Sequence, residues 1–246
     1  MTIRINCWSG PRNVSTALMR SFAQRADTRA FDEPLYGHYL KTTGAPHPGR
    51  DELVEILDTD PERVVREVVL GTCDRAVMFF KQMVHHLTPD LDLGFLDRTV
   101  NVLLIRDPAE VISSLVNQLP EPTMRDVGLE RQVVLFRDLR SRGQDAPVLD
   151  ARQLLLDPER VLKQLCGRVG IPWDPAMLSW PSGPQPEDGV WAKYWYDNLH
   201  KSTGFEPYRE RNREVPADCR QLLAECRAHY DELISHAIVA AAAEAH

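Results

Sequence analysis

The stretch Trp8-Ser9-Gly10-Pro11-Arg12-Asn13-Val14-Ser15-Thr16-Ala17-Leu18 joins an apolar strand signal at residues 3–7 to a helical pattern carried by Leu18, Met19 and Phe22. A strand that passes through a small, hydroxyl-rich loop into a helix start aims backbone N–H groups and the positive end of the helix dipole at one anion, usually a phosphate. Such a unit belongs in an α/β sheet, because the helix must return across the sheet to bury its apolar side. The loop is not an ordinary nucleoside-triphosphate cradle. That pattern, G-x-x-x-x-G-K-[ST], places its Lys on the β/γ-phosphates and its hydroxyl on Mg²⁺, whereas here Ser15 stands at the second glycine and Thr16 at the lysine. The cation sits early instead, at Arg12. Val14 is β-branched and disfavours positive φ, so the turn either keeps φ negative there or takes another shape.

A second unit lies further along. Residues 100–105 form an apolar run that ends in Arg106-Asp107-Pro108, ahead of Val111, Ile112, Leu115 and Val116 at helical spacing. Asp107 suits an N-cap and Pro108 the first helical position, so Arg106 emerges where the strand ends. Ser114 follows the cap by about two turns and shares its azimuth, which lets Arg106 and Ser114 converge on one tetrahedral anion. A third run places a strand at 147–151, then Asp157-Pro158 opening an amphipathic helix, and a stop at Gly170-Ile171-Pro172.

Taken in this order, the three units resemble the sulfotransferases that use 3′-phosphoadenosine 5′-phosphosulfate (PAPS). Pro11-Arg12-Asn13-Val14-Ser15-Thr16 is similar to their 5′-phosphosulfate loop, with Val14 where the family usually has Gly. The resemblance implies that Arg12 grips the phosphosulfate, with Asn13 and Val14 in the same loop, while Ser15 and Thr16 bind the 5′-phosphate. It implies further that Arg106 and Ser114 hold the 3′-phosphate. The expected cofactor is PAPS, leaving as 3′-phosphoadenosine 5′-phosphate (PAP), with no obligatory metal. The likeness runs from residue 3 to about residue 178 and is weak beyond it.

Strand signals at residues 3–7, 28–32, 76–81, 100–106 and 147–151 alternate with helical patterns at 15–25, 51–69, 108–117, 128–142 and 158–169. Near-continuous apolar strands alternating with helices predict a mostly parallel central sheet in a three-layer α/β/α fold, with ligands at the strands' C-terminal ends. The expectation is one P-loop-like sulfotransferase domain over residues 1–246, its C-terminal cap at about 179–246. The Pro/Gly-rich segment 178–189 reads as a hinge before that cap, and the Ala-rich end 238–245 as a fraying helix.

Sulfuryl transfer needs a base, cations on the transferring group and exclusion of water. Glu33, in Asp32-Glu33-Pro34 at the end of the second strand, is the first candidate base by resemblance and position, with Asp32 behind it. Lys81 ends the third strand, where relatives keep a Lys near the sulfuryl group. His85 and His86 follow as acceptor contacts or alternative bases, and adjacent histidines do not reproduce the i, i+4 spacing of a metal pair. In the C-terminal quarter Trp191, Tyr194, Trp195 and Tyr196 offer pocket walls. Arg209, Arg211 and Arg213 follow, and Lys201 and Ser202, or Arg209, stand where the family folds a basic segment over the 3′-phosphate.

The formal net charge of −7 over 246 residues argues against nucleic acid, polyanions and anionic membrane as partners. The expected acceptor is a small molecule with a hydroxyl or amine. Five cysteines without metal-site spacing fit reduced thiols, and the absence of an export-like apolar stretch in residues 1–8 leads to a cytoplasmic expectation. Oligomeric state stays open, a homodimer included. Two other readings stand beside this one: a nucleoside-triphosphate-dependent kinase or hydrolase with Asp107 as its metal carboxylate, and a non-catalytic nucleotide-binding module.

Overall fold

The computed structural model describes residues 2–210 and 214–240. Arg211 and Arg213, and the Ala-rich end from 241 onward, lie outside the described residues. In chain order the main elements are β1 (Ile3–Ser9), α1 (Ser15–Ala23), β2 (Thr28–Asp32), α2 (Tyr36–Thr43), α3 (Arg50–Ile56) and α4 (Pro61–Val64). Then come β3 (Val77–Met83), β4 (Val100–Ile105), α5 (Pro108–Leu115), α6 (Met124–Val127), α7 (Leu129–Ser141) and β5 (Val148–Asp150). The chain continues through α8 (Ala151–Leu156), α9 (Pro158–Val169), α10 (Ala192–Trp195), α11 (Arg220–Ile234) and β6 (Ala237–Ile238).

The strands form one six-stranded sheet in the order β2-β3-β1-β4-β5-β6, with every pairing parallel. Helices cover both faces, giving the three-layer α/β/α fold. The alternation of side chains along each strand divides the core in two. Trp8, Met78, Phe80, Leu103 and Ile105 pack in one layer with α7 and α11, while Ile5, Cys7, Val77, Phe79, Val102 and Leu104 pack in the other with α1 and α9. Because β1 is flanked by β3 and β4, the chain changes winding direction beside it. Open α/β sheets bind ligands at the carboxyl ends of the strands at such a crevice.

Local chemistry explains the element boundaries. Asp107 caps α5 by accepting from the Ala109 N–H at 2.8 Å, and Asp157 caps α9 through Arg160 N–H at 3.0 Å, each with Pro at the first helical position. The single helix expected at 51–69 is instead broken. Asp60 accepts from Arg63 N–H at 3.1 Å and Pro61 follows it, so a cap signal starts a new helix, which continues as a π-helical turn over Val65–Val69. Short helices α2, α6 and α8 also form where none was expected, and further differences lie at the end of the chain. α11 packs back on α5 and α7 through Cys226, Tyr230 and Leu233, and Ile238, read from sequence as the start of a fraying helix, belongs to the edge strand β6 beside β5.

Residues 178–189 are tied down. Arg20 in α1 is fully buried; its Nη1 donates to Gly183 O at 2.9 Å and its Nη2 to both oxygens of Asp188 at 2.8 and 2.7 Å. A hinge there would have to break a buried charge pair, which costs about 3–5 kcal/mol when one partner is lost.

Candidate functional site

The loop after β1 carries the site's first unusual backbone. Among the described non-glycine residues only Arg12 (φ 55°) and Glu33 (φ 39°) adopt positive φ, and both line the same cavity of about 1250 Å³ at the strands' C-terminal ends. Left-handed backbone costs an ordinary residue about 1–3 kcal/mol and persists where surrounding contacts over-determine it. Val14 keeps φ at −90°, so the loop solves the β-branched constraint by turning two residues earlier. Asn13 fixes the turn: its Nδ2 donates to Leu104 O at 3.0 Å and its Oδ1 accepts from Val14 N–H at 2.8 Å. Gly10 must be small, since a Cβ there would meet Val127 O at 2.7 Å.

Val14 takes the N-cap position of α1 with no side-chain cap hydrogen bond, and no acidic residue stands in the first turn. Asp60, Asp107, Asp150 and Asp157 cap α4, α5, α8 and α9 with their carboxylates. The first-turn amides of α1, with Ser15 and Thr16 beside them on the cavity wall, are thus left for an outside anion.

Arg12, Arg106 and Ser114 meet across the β1–β4 crevice. Arg12 Nε donates to Ser114 Oγ at 2.9 Å, and Arg106 Nη1 donates to Arg12 O at 2.7 Å. Glu110, one turn along α5, accepts from Arg106 Nε at 2.8 Å and lies 2.7 Å from Nη2. One N–H on each terminal nitrogen of Arg106 remains beyond these contacts. Glu110 is held in turn by the Tyr208 hydroxyl at 2.8 Å. The pairing expected between Arg106 and Ser114 is therefore completed by Arg12 as the bridge.

A buried polar network faces this group from β2 and β3. The parallel register sets Asp32 beside Lys81, and Lys81 Nζ donates to Asp32 Oδ1 at 2.9 Å, Glu33 Oε1 at 2.5 Å and the Tyr196 hydroxyl at 2.7 Å. The Tyr196 hydroxyl donates to Asp32 Oδ2 at 2.6 Å. Burial alone would lower the Lys81 pKa, but Asp32 and Glu33 overcome it and hold the ammonium well above its ordinary value. Asp32 is closed in by Lys81, Tyr196 and the Gly189 N–H, which leaves Glu33 as the carboxylate of the pair that lines the cavity. Glu33 Oε2 lies 3.7 Å from His86 Nε2.

His86 is fully buried, with neither ring nitrogen hydrogen-bonded. It stacks on Tyr36 at 5.2 Å and sits 4.7 Å from Tyr39 and from His85. Burial drives the pKa values of His85 and His86 well below the ordinary histidine value, so both rings are neutral. Tyr36, Tyr39, His47, Trp191, Trp195 and Tyr196 complete an aromatic chamber beside Glu33.

Of the basic residues expected from the C-terminal quarter, Lys201 and Arg209 do not line the cavity. Lys201 is exposed and does not line the cavity, because the short turn Leu199–Lys201 carries it outward. Ser202 lines the cavity but is engaged, accepting from Trp180 Nε1 at 3.1 Å and donating to Leu199 O at 2.8 Å. Tyr36, Tyr39, His47 and Arg125 also line it, and sequence reasoning had not marked them. For α2 the available signal was Tyr36 and Tyr39 on one helix face, three residues apart; for Arg125 there was none. Asp107 both caps α5 and receives Arg227 at 2.8 and 3.1 Å, so its oxygens serve structural partners rather than the cavity. The described cysteines are free, and no helix among the described residues is long and apolar enough to cross a membrane.

Comparison with known proteins bears on the family and the fold. Two curated relatives in Arabidopsis thaliana, branched-chain-amino-acid aminotransferase-like proteins 1 and 2, are 38% and 37% identical over 232 residues, covering 94% of this chain and 42% and 41% of theirs. The chain thus spans less than half the length of these relatives. The solved sulfotransferase from Alicyclobacillus acidocaldarius matches with a TM-score of 0.57 at 12% identity, over 97% of this chain and 98% of that one. A sulfotransferase domain from the curacin biosynthetic pathway gives 0.56 at 16%, over 93% and 98%. The mouse sulfotransferase SULT7A1, solved in complex with PAP, gives 0.50 at 13%, over 95% and 83%. These likenesses show the fold, and the profile of the sulfotransferase domain matches residues 3–237. The chain belongs to the sulfotransferase domain family.

Proposed function

We propose that the protein moves a sulfuryl group from PAPS to a hydroxyl or amine of a small-molecule acceptor. The carrying observation is the pair of anion-binding elements on one crevice, the uncapped start of α1 and the Arg12–Ser114–Arg106 group, facing Glu33 and Lys81 across a shared cavity. Two separated phosphate positions suit a 3′,5′-bisphosphorylated nucleoside, and the donor set of amides, hydroxyls and guanidinium groups suits phosphate oxygens. The PAP bound to the mouse neighbour supports the same donor.

When bound, PAPS supplies an activated sulfuryl group and a stable phosphate leaving group. The chain's own residues then divide the work. Ser15, Thr16 and the α1 amides hold the 5′ end, and Arg106 with Ser114 the 3′-phosphate. Arg12 reaches the charge that develops between them. Glu33 accepts the acceptor's proton at its cavity-facing oxygen, while Lys81 holds the other oxygen and keeps the carboxylate oriented. Lys81 also places positive charge beside the reacting centre, which is worth most in a site closed to water. The aromatic chamber provides that closure.

Incubating the full chain with sulfur-labelled PAPS and a panel of small alcohols, phenols and amines tests the reading. Label should move to an acceptor with matching release of PAP. PAP release with no acceptor dependence, or none with any donor, would count against it.

A further inference from the structure

The cavity contains a charge that donor binding and proton removal do not use. Arg125 lines it from α6, and no hydrogen bond or ion pair engages its guanidinium among the described residues. Burial raises the Tyr39 pKa and lowers that of His85, and at both groups the Arg125 charge favours proton loss while that of Asp126 opposes it. The guanidinium lines the same cavity as those two rings. From there a continuous ring wall leads inward: Tyr39 packs edge-on to His85 at 5.0 Å and against His86 at 4.7 Å, and His86 lies beside Glu33.

The other ionisable groups along this wall are hydrogen-bonded or neutral. Glu33 is held by Lys81 at 2.5 Å. Asp126 accepts from Thr123 N–H at 2.8 Å and Oγ1 at 2.6 Å, and the two histidines are neutral. An acceptor entering here meets flat aromatic faces, a carboxylate at the inner end and, at the outer end, a guanidinium that no hydrogen bond engages among the described residues. A planar ring packs on such faces, and a carboxylate matches a guanidinium in geometry as well as charge.

We propose that the acceptor is a small ring-bearing hydroxy acid, its hydroxyl at Glu33 and its carboxylate on Arg125. This rests on the sulfotransferase reading above and adds the substrate class to it. Cationic acceptors are disfavoured, because Lys81 and Arg125 both line the cavity they would enter.

The test measures kcat/KM with PAPS for 4-hydroxyphenylacetate and its methyl ester, in the parent chain and in Arg125→Gln and Arg125→Lys, with PAP affinity followed in parallel by calorimetry. The acid should exceed the ester by about tenfold or more in the parent, the usual worth of a charge-assisted hydrogen bond. Arg125→Gln should erase that preference through KM, Arg125→Lys should restore part of it, and PAP affinity should hold. Equal use of acid and ester, preference for the ester or for tyramine, or no turnover of the acid by a chain that binds PAP would overturn the proposal. So would a fall in PAP affinity in Arg125→Gln matching the loss with the acid, since the arginine would then serve the donor. Failure of the parent chain to bind PAP at all would instead overturn the sulfotransferase reading beneath it.

Discussion

Arg12 Nε donates to Ser114 Oγ at 2.9 Å, joining the loop after β1 to the second turn of α5 across the crevice where the sheet changes winding direction. Arg106 closes the same group by donating to the Arg12 carbonyl at 2.7 Å, so the positive φ of Arg12 and the placement of the 3′ side are one structural unit.

Arg106→Ala should therefore weaken PAP binding far more than binding of adenosine 5′-phosphosulfate, which lacks the 3′-phosphate. The loss for PAP should be about 2–3 kcal/mol, the scale of a charge-assisted contact. Calorimetric titration with both nucleotides checks it, and equal losses would place Arg106 away from the 3′-phosphate.

Glu33→Gln should leave PAP affinity within a few fold and lower the sulfation rate by about 10²–10⁴, the usual yield of general-base catalysis. Single-turnover kinetics reads the chemical step directly. A fully active Glu33→Gln beside an inactive His85→Ala or His86→Ala would move the base to the turn after β3.

Lys81→Met should act on stability as well as on turnover. It leaves Asp32 and Glu33 without the cation that compensates them, and breaking a buried pair costs about 3–5 kcal/mol. In urea unfolding, adding Asp32→Asn to Lys81→Met should recover part of that loss, whereas additive losses would mean the two groups are not coupled.

Acid should destabilise the fold before it protonates any exposed carboxylate. Burial lowers the pKa of His38, His47, His85 and His86 in the native state, so below about pH 6.5 the unfolded chain binds protons that the native chain does not. Stability is then fully present above that pH and falls toward the depressed native values, each histidine contributing up to about 1.4 kcal/mol per pH unit. Asp32, Asp150 and Glu187, raised by burial, work in the opposite sense but start from the lower carboxylate range. Thermal melts from pH 7.5 to 5.5 should show the midpoint dropping, and His86→Phe should flatten the slope. A midpoint independent of pH over that range contradicts neutral buried histidines.

Much of the scaffold was legible because its signals are local. Asp107-Pro108 and Asp157-Pro158 announce their helices within two residues, and the hydroxyl-rich loop stands directly between β1 and α1. The start of α4 was missed although Asp60-Pro61 carries the same signal, because the apolar spacing of Leu53, Leu57 and Val64 runs through the break. β6 is two residues long and owes its strand state to pairing with β5, which no local pattern encodes. Within the site, Arg12, Arg106 and Glu33 follow strand ends, Lys81 stands near the end of β3 and Ser114 two turns into α5, and all could be found by position. Tyr196 meets Lys81 and Asp32 only through contacts spanning 115 and 164 residues. Arg125 reaches the cavity through the fold of α6 against the start of the β1 loop, and Lys201 misses it through the direction of a short turn.

Donor identity is tested most directly by calorimetric and thermal-shift titration of the full chain with PAP and, separately, with ATP and Mg²⁺. PAP should bind at one site per chain, and at about 100 times its Kd should add about 2.7 kcal/mol to stability, with ATP and Mg²⁺ giving the smaller shift. A larger shift with ATP and Mg²⁺, and none with PAP, would contradict the assignment.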